Sequence, residues 1–351
     1  MTAPMATRAC HVAIEVREPS QVGELRRAAV RLAQALGFDE VAAGRVAIVA
    51  TELGNNLVRH AQGGRVLIGE VEAVDGPPAL ELLSLDAGPG ILDVAASLVD
   101  GHSTGGTPGT GLGAVRRLSS EFDLYSSRPG GTVVMARLTA ATAPGTGAVV
   151  PHVPQGRYSV AALRLAAPGE TVCGDNWALR RQGEALQILM ADGLGHGPQA
   201  CEAADAAARE FLAAAPGTPP SRVLDGVHQA LRSTRGAAVA VATVDDEAGT
   251  VTFCGAGNIA GRIISGVGDR TLLSQHGTAG VQVRRLQDVV YDWPAHALVL
   301  LHSDGIVSRW NLDGARGLLR HHPGVIAGWL LKDHLRGRDD ASVVVLKRRP
   351  T

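Results

Sequence analysis

Lysine is almost missing from this chain. Of its 33 basic residues only Lys332 and Lys347 are lysines. Before position 332 a phosphate-binding P-loop, which needs GxxxxGK[ST], is therefore excluded. Aromatic residues are also scarce, at 3% of 351 positions, which excludes the base-stacking platforms of single-strand-binding proteins. Neither sign of charge dominates. The 33 basic and 34 acidic residues leave a formal net charge of −1, too weak a field for nucleic acid or an anionic membrane to be an expected partner. The four cysteines, Cys10, Cys173, Cys201 and Cys254, form no CxxC pair. That speaks against a zinc site and a disulfide framework, and for the reduced thiols of a cytoplasmic protein. No apolar run approaches the roughly 18 residues of a membrane-spanning helix. Arg8, His11 and Glu15 stand where a secretion signal would have its apolar stretch, so a soluble cytoplasmic chain is expected.

What the chain does have is enough apolar material for two cores. It is 45% hydrophobic and 19% charged, and its length is about twice that of a usual domain. The clearest break is the stretch TAATAPGTGAVVPHVPQ at 139–155, uncharged and rich in proline, glycine and small residues. The expected organisation is a domain over 1–138, a linker over 139–156 and a domain over 157–351. In the first, a strand is expected at 11–17 and a helix at 20–36 capped by Ser20. A second helix is expected at 39–61, with Val46, Val49, Leu53 and Leu57 as its apolar stripe. Strands near 65–74, 80–85 and 132–138 and a helix from 114 complete an α+β sandwich. In the second domain, strands near 158–165, 177–180, 186–190, 237–244, 250–254, 262–265, 297–301 and 342–346 surround helices at 198–215 and 221–234. That pattern predicts a β-sandwich with helices on its outer faces.

Three features of the first domain belong together. Glu52, Asn56 and His60 are spaced by four and share one helix stripe. A carboxylate and an amide on that face can present a base and a Mg²⁺ ligand to the same phosphate, although a solvated helix face also accounts for the spacing. The apolar run 80–85 leads into Asp86-Ala87-Gly88-Pro89-Gly90. An aspartate on this turn can accept from an exocyclic amine, or simply make the turn. The third feature is Gly105-Gly106-Thr107-Pro108-Gly109-Thr110-Gly111-Leu112-Gly113, which opens into a helix start able to bind phosphate. A Rossmann fingerprint requires a strand directly before its glycines, and here a long loop precedes them.

The order Glu52-x-x-x-Asn56, Asp86-x-Gly88-x-Gly90, Gly109-x-Gly111-x-Gly113 resembles the N, G1 and G2 boxes of the GHKL (Bergerat) ATP-binding fold. The surrounding TELGNNLVRHA at 51–61 and GHSTGG at 101–106 resemble the anti-sigma-factor serine kinases, in particular the RsbT-like switch kinases. That resemblance implies ATP as cofactor, Glu52 as catalytic base and Asn56 as Mg²⁺ ligand. It also implies Asp86, with Gly88 and Gly90, as the adenine reader. Gly105, Gly106, Gly109, Thr110, Gly111, Leu112 and Gly113 would close over the phosphates, and His60 would be structural.

The second domain places aspartates beside strands four times: CGDNW at 173–177, ADGLGHG at 191–197, HSDGI at 302–306 and GRDDAS at 337–342. One Asp-Gly after a strand is usually just a turn. Four such carboxylates on neighbouring strands would repel unless a cation sat among them, and an all-oxygen set suits Mg²⁺ or Mn²⁺ rather than zinc. A pair of such ions serves phosphoester hydrolysis. In order and wording these motifs resemble the metal-dependent PPM protein phosphatases of the SpoIIE/RsbX branch, with their αββα sandwich. The resemblance implies that Asp192 bridges two metals, with Asp175 on one side, Asp304 and Asp339 on the other, and the Gly193 carbonyl as a further ligand. Asp340 competes with Asp339 for that role.

Together the two resemblances imply a reversible switch acting on serine or threonine of partner proteins. STAS-domain anti-sigma antagonists or stressosome scaffold proteins are the expected partners, a sigma factor being a further one. An alternative makes the first domain an ATP-binding module that sequesters its partner, leaving all chemistry to the phosphatase.

Overall fold

The computed structural model describes residues 10–71, 79–98, 111–140 and 157–349. The chain divides into two compact units. One comprises residues 11–155 with 320–332, the other residues 1–10, 156–319 and 333–351. The stretch 320–332, expected within the domain 157–351, thus belongs to the first unit. Among the described residues no helix is long and apolar enough to cross a membrane.

The first unit begins with β1 (Val12–Val16), α1 (Pro19–Ala35), α2 (Glu40–His60), β2 (Gly64–Val71) and β3 (Ala79–Asp86). It continues through α3 (Val94–Ser97), α4 (Gly111–Leu118), β4 (Glu121–Ser127) and β5 (Gly131–Thr139). Helix α1 starts earlier than expected. Glu18, not Ser20, is its N-cap, in a capping box with Gln21, because Pro19 occupies the first helical position and fixes the cap one residue before it. Helix α2 is capped by Asp39, the residue at which the helix was expected to begin, its Oδ1 accepting from Ala42 N at 2.7 Å. Its last turn carries Arg59 and the exposed His60, both suited to a helix C-terminus. Helix α4 starts at Gly111, three residues before the expected 114, and β4 was not foreseen.

The five strands form one antiparallel sheet in the order β1-β2-β3-β5-β4. Its inner face (Val66, Ile68, Leu80, Leu82, Val134, Ala136) packs against Val22, Leu25, Val46, Val49, Leu53 and Leu57 of α1 and α2. The other face is covered too. Helix α7 (Pro323–His334), late in the sequence, contributes residues 323–332 here. A Cβ on Gly328 would meet Leu83, Leu85 and Val133 at 2.7–3.2 Å, and one on Gly324 would meet the Met135 sulfur at 2.9 Å. The Trp329 and Tyr125 rings meet edge-on at 4.9 Å, and Lys332 Nζ donates to the Gly130 carbonyl at 2.7 Å.

On that face a row of charge crosses the sheet. Glu81, Arg137 and Glu121 are register neighbours on β3, β5 and β4. Arg137 donates to Glu81 Oε2 at 2.6 Å and to Glu121 Oε2 at 2.7 Å. Burial alone would raise the Glu81 pKa, but Arg137 and His11 hold it down to about 2. His322 beside them is lowered to about 4 by burial and by Arg137. Both groups are deprotonated in the fold and take up protons more readily when unfolded. Acid therefore destabilises this unit. The His322 contribution is lost as pH falls from about 6.5 to 4, that of Glu81 as it falls from about 4.5 to 2. Melting temperatures measured against pH should decline over these windows, and His322→Gln should flatten the upper one. An unchanged upper slope in that variant would remove His322 from the account.

The second unit contains β6 (Tyr158–Leu165), β7 (Asp175–Gln182), β8 (Ala185–Gly193), α5 (Pro198–Ala213) and α6 (Pro220–Ala230). There follow β9 (Ala237–Asp245), β10 (Thr250–Ala256), β11 (Ala260–Ile264), β12 (Asp269–Leu272), β13 (Gly277–Thr278) and β14 (Gln282–Val283). Then come β15 (Val289–Asp292), β16 (Leu298–His302) and β17 (Ala341–Arg348). The sheets β15-β10-β9-β8-β7 and β12-β11-β16-β17-β6 are antiparallel throughout. Ile188, Met190, Ala240, Phe253, Val299 and Val344 are among the residues that form the core between them. The outer face of the first sheet, through Leu189, Val239 and Val241, packs on the alanine-rich face of α5 and on α6. The α+β class and the sheet-on-sheet sandwich are as the sequence led us to expect.

Two candidate functional sites

In the first unit, α2 brings Glu52 and Asn56 one turn apart beside its buried stripe. A Cβ on Gly111, the first residue of α4, would lie 3.3 Å from Glu52 Oε2 and 3.5 Å from Asn56 Oδ1. The start of α4 therefore faces both side chains, where its free N–H groups can meet an anion. Asn56 Nδ2 is buried without a hydrogen-bond partner, a donor that a bound group can satisfy. Leu112 packs against the core and Gly113 is buried, so both support α4 rather than line the opening. Gly105, Gly106, Gly109 and Thr110 lie outside the described residues.

At the end of β3, Asp86 Oδ1 accepts from the backbone N–H of Gly88 at 2.9 Å and of Thr132 at 3.2 Å. The two bonds fix the carboxylate and leave Oδ2 available to a donor. Burial raises the Asp86 pKa against these bonds and against Lys332. The turn needs its glycine. Gly90 has φ +73°, and a side chain there would collide with the Ser127 carbonyl.

In the second unit, Asp175 and Asp192 face each other across β7 and β8. Asp304 follows β16, Asp339 and Asp340 precede β17, and those two strands pair. The topology thus gathers the acidic positions at one end of the sandwich. Their mutual effect is visible at Asp192. Its carboxyl is pushed up to about 9 by burial first, then by the charges of Asp175, Asp304, Asp339 and Asp340. Asp175 is fully buried and raised to about 7 by burial, despite the Ser303 hydroxyl that favours its charged form. Gly193 packs so closely on the Ala200 backbone that no side chain fits.

Among the described residues no three His, Cys, Asp or Glu side chains are arranged to hold a metal ion. Two of the carboxylates are engaged elsewhere. Asp175 Oδ2 accepts from Ser303 Oγ at 2.6 Å, and Asp340 Oδ1 accepts from Ala167 N at 2.9 Å. Their other oxygens, Asp175 Oδ1 and Asp340 Oδ2, are buried without a partner. Orphaned acceptors within a mutually repelling, all-oxygen cluster fit a hard divalent cation in chemistry.

Three supporting residues escaped the sequence reading. Ser303 passes its hydroxyl to Asp175 while accepting from Ser342 N at 2.9 Å. Asn258 donates to Asp304 Oδ2 at 2.7 Å. Glu170 Oε1 lies 2.6 Å from His196 Nδ1, giving the histidine of the DGLGHG loop a partner. A polar residue next to a recognised aspartate was the only signal available for Ser303, and Asn258 had none.

Comparison with known proteins finds matches in both parts of the chain. Residues 16–138 match the family model of the histidine kinase-like ATPase domain, and residues 182–349 that of stage II sporulation protein E (SpoIIE). Over 105 residues the chain is 38% identical to the serine/threonine-protein kinase RsbT of Bacillus subtilis (strain 168), covering 30% of this chain and 78% of that protein. Over 96 residues it is 27% identical to the phosphoserine phosphatase RsbX of the same organism. That match covers 27% of this chain and 48% of RsbX, so the chain spans about half of that relative's length. A solved structure from work on the bacterial stressosome, as a modular system adapted to control secondary messenger signaling, superposes with TM-score 0.51. It is 28% identical, over 54% of this chain and 99% of the other. Through residues 16–138 the chain belongs to the histidine kinase-like ATPases, in their RsbT-like branch, and through residues 182–349 it carries a SpoIIE-type PPM phosphatase domain.

Proposed function

We propose that the first unit transfers the γ-phosphoryl group of ATP to a serine or threonine of a partner protein, and that the second unit removes it. The observation that carries this reading is the meeting of Glu52, Asn56 and Gly111 at the start of α4, in a stretch similar to a serine/threonine kinase. Glu52 accepts the proton of the attacking hydroxyl, Asn56 would hold Mg²⁺ with the nucleotide, and Asp86 accepts from the adenine amine. In the second unit Asp175, Asp192, Asp304, Asp339 and the Gly193 carbonyl would hold Mg²⁺ or Mn²⁺. When bound, such ions supply an activated water and neutralise phosphate charge. We choose Asp339 over Asp340 because Asp340 is buried and serves the backbone of Ala167. Ser303 holds the Asp175 carboxylate in place. The partners are STAS-domain anti-sigma antagonists or stressosome scaffold proteins, whose apolar interfaces a phosphate would open.

The test is a time course of labelled phosphate from ATP to candidate STAS-domain proteins, comparing the unaltered chain with Asp192→Ala. Label should accumulate with the variant and stay low with the unaltered chain. No label with either, in chains that bind ATP, would overturn the kinase reading and favour partner sequestration.

A further inference from the structure

A chain of hydrogen bonds leads to Asp175 from a tryptophan outside every motif. Trp310 stands eight residues beyond His302, the last residue of β16, and its indole Nε1–H donates to His302 Nε2 at 3.1 Å. A ring nitrogen that accepts carries no proton, so the imidazole is the neutral tautomer protonated on Nδ1. That N–H donates to the Ser303 carbonyl at 2.8 Å. Ser303 gives its hydroxyl to Asp175 Oδ2 at 2.6 Å and accepts from Ser342 N at 2.9 Å. Each donor thus has one acceptor. Trp310 is 8% exposed, His302 2%, and Ser303 and Asp175 0%. In so dry a place a missing link leaves a polar group unsatisfied at a cost of about 1–3 kcal/mol.

Trp310 is itself held on two sides. The Arg262 guanidinium lies 4.0 Å over its ring and donates to its carbonyl at 2.9 Å, while Asp269 pairs with Arg262. The indole is therefore fixed with its N–H toward His302. At the far end the network satisfies one oxygen of Asp175 and leaves the other, Oδ1, buried without a partner. An acceptor kept open in this way is one set aside for a ligand.

We propose that Trp310 and His302 are positioning residues of the phosphatase centre, holding the Ser303 turn so that Asp175 presents Oδ1 to the cation. The proposal rests on the phosphatase function proposed above. Its physical content is orientation. A carboxylate released by Ser303 can turn about its Cβ–Cγ bond and offer either oxygen. The Ser303 carbonyl, in addition, belongs to the planar peptide that joins Ser303 to Asp304. By holding that carbonyl, His302 sets the plane from which Asp304 departs as well as the seat of the Ser303 hydroxyl. Outer partners of metal-binding carboxylates contribute about 10–100-fold to metal affinity or activity.

Three substitutions in the full chain separate direction from bulk. Trp310→Phe keeps a ring over Arg262 and removes the N–H. His302→Gln keeps an acceptor near the Nε2 position and loses the donor to Ser303, whereas His302→Asn keeps a donor near Nδ1. Mn²⁺ binding is read from the electron paramagnetic resonance of the free ion, and hydrolysis of p-nitrophenyl phosphate is followed against Mn²⁺ concentration. Trp310→Phe and His302→Gln should each weaken Mn²⁺ binding about tenfold. They should raise the Mn²⁺ needed for half-maximal hydrolysis by the same factor, and lower the rate at saturating Mn²⁺ far less. His302→Asn should restore most of the binding lost in His302→Gln. Unchanged Mn²⁺ affinity in Trp310→Phe would overturn the proposal. So would a lower melting temperature or saturating rate with Mn²⁺ affinity unmoved, the mark of a merely structural pair. An unaltered chain that bound no Mn²⁺ would instead overturn the metal-dependent phosphatase reading, and the proposal with it.

Discussion

Replacing Asp192 by alanine should reduce hydrolysis of a phosphoserine substrate by on the order of 10²–10³-fold, more than the loss of a supporting residue would cause. Asp192 is the carboxylate on which the repulsion of all four other acidic groups converges, and burial disfavours its charge further. A cation at the cluster would offset that repulsion, and on the function proposed above Asp192 is the carboxylate the ions would share, so its loss would weaken the hold on each of them. The same argument separates a lost ligand from a misfolded chain. Without added metal at pH 8, Asp192→Asn should melt no lower than the unaltered chain, and higher if repulsion dominates, since it removes a charge the fold disfavours. Adding Mn²⁺ should then raise the melting temperature of the unaltered chain more than that of the variant. Hydrolysis within tenfold of normal in Asp192→Ala would show that the centre lies elsewhere.

The second large effect is expected at Glu52. With Glu52→Ala, transfer of label from ATP to the partner should fall by about 10²–10⁴-fold, the usual contribution of a positioned base. Binding of a fluorescent ATP analogue should change little, because Asp86 and the start of α4 remain. Glu52→Gln should be as inactive as alanine while keeping the side chain's shape, which isolates its basicity. Equal transfer by variant and unaltered chain would strip Glu52 of that role.

Much of the secondary structure, and the positions of Glu52, Asn56 and the strand-end aspartates upon it, was visible in the sequence because it rests on local rules. Asp39 caps α2, and the spacing of four puts Glu52 and Asn56 on one stripe. Asp304-Gly305 follows β16 as read, whereas Asp192-Gly193 forms the last two residues of β8 itself. The Ser20 cap failed because a proline at the first helical position outweighs a serine's preference for the cap. What sequence reasoning could not supply were meetings across long separations. Ser303 with Asp175 and Asn258 with Asp304 depend on which strands lie together, and no spacing rule records that. One clue went unused. β3 and β5, ALELLSLD and GTVVMARLT, are apolar on both faces rather than alternating. A strand written that way is covered twice, so the sheet needed a second layer besides α1 and α2. Its source was unreadable, since α7 is buried on every side and shows no polar face to mark it as a surface helix.

That second layer bears on how such a protein can be divided. The residues that close the far side of the kinase-like sheet are encoded near the end of the phosphatase-like stretch. A gene cut at the linker would yield a kinase-like fragment with Leu83, Leu85, Val133 and Met135 bare to water, prone to aggregate. The partner fragment would carry the apolar helix that should have covered them. Unlike two enzymes joined by a tether, the first unit takes part of its own covering layer from a stretch embedded in the sequence of the second, and that inheritance resists separation into independent genes.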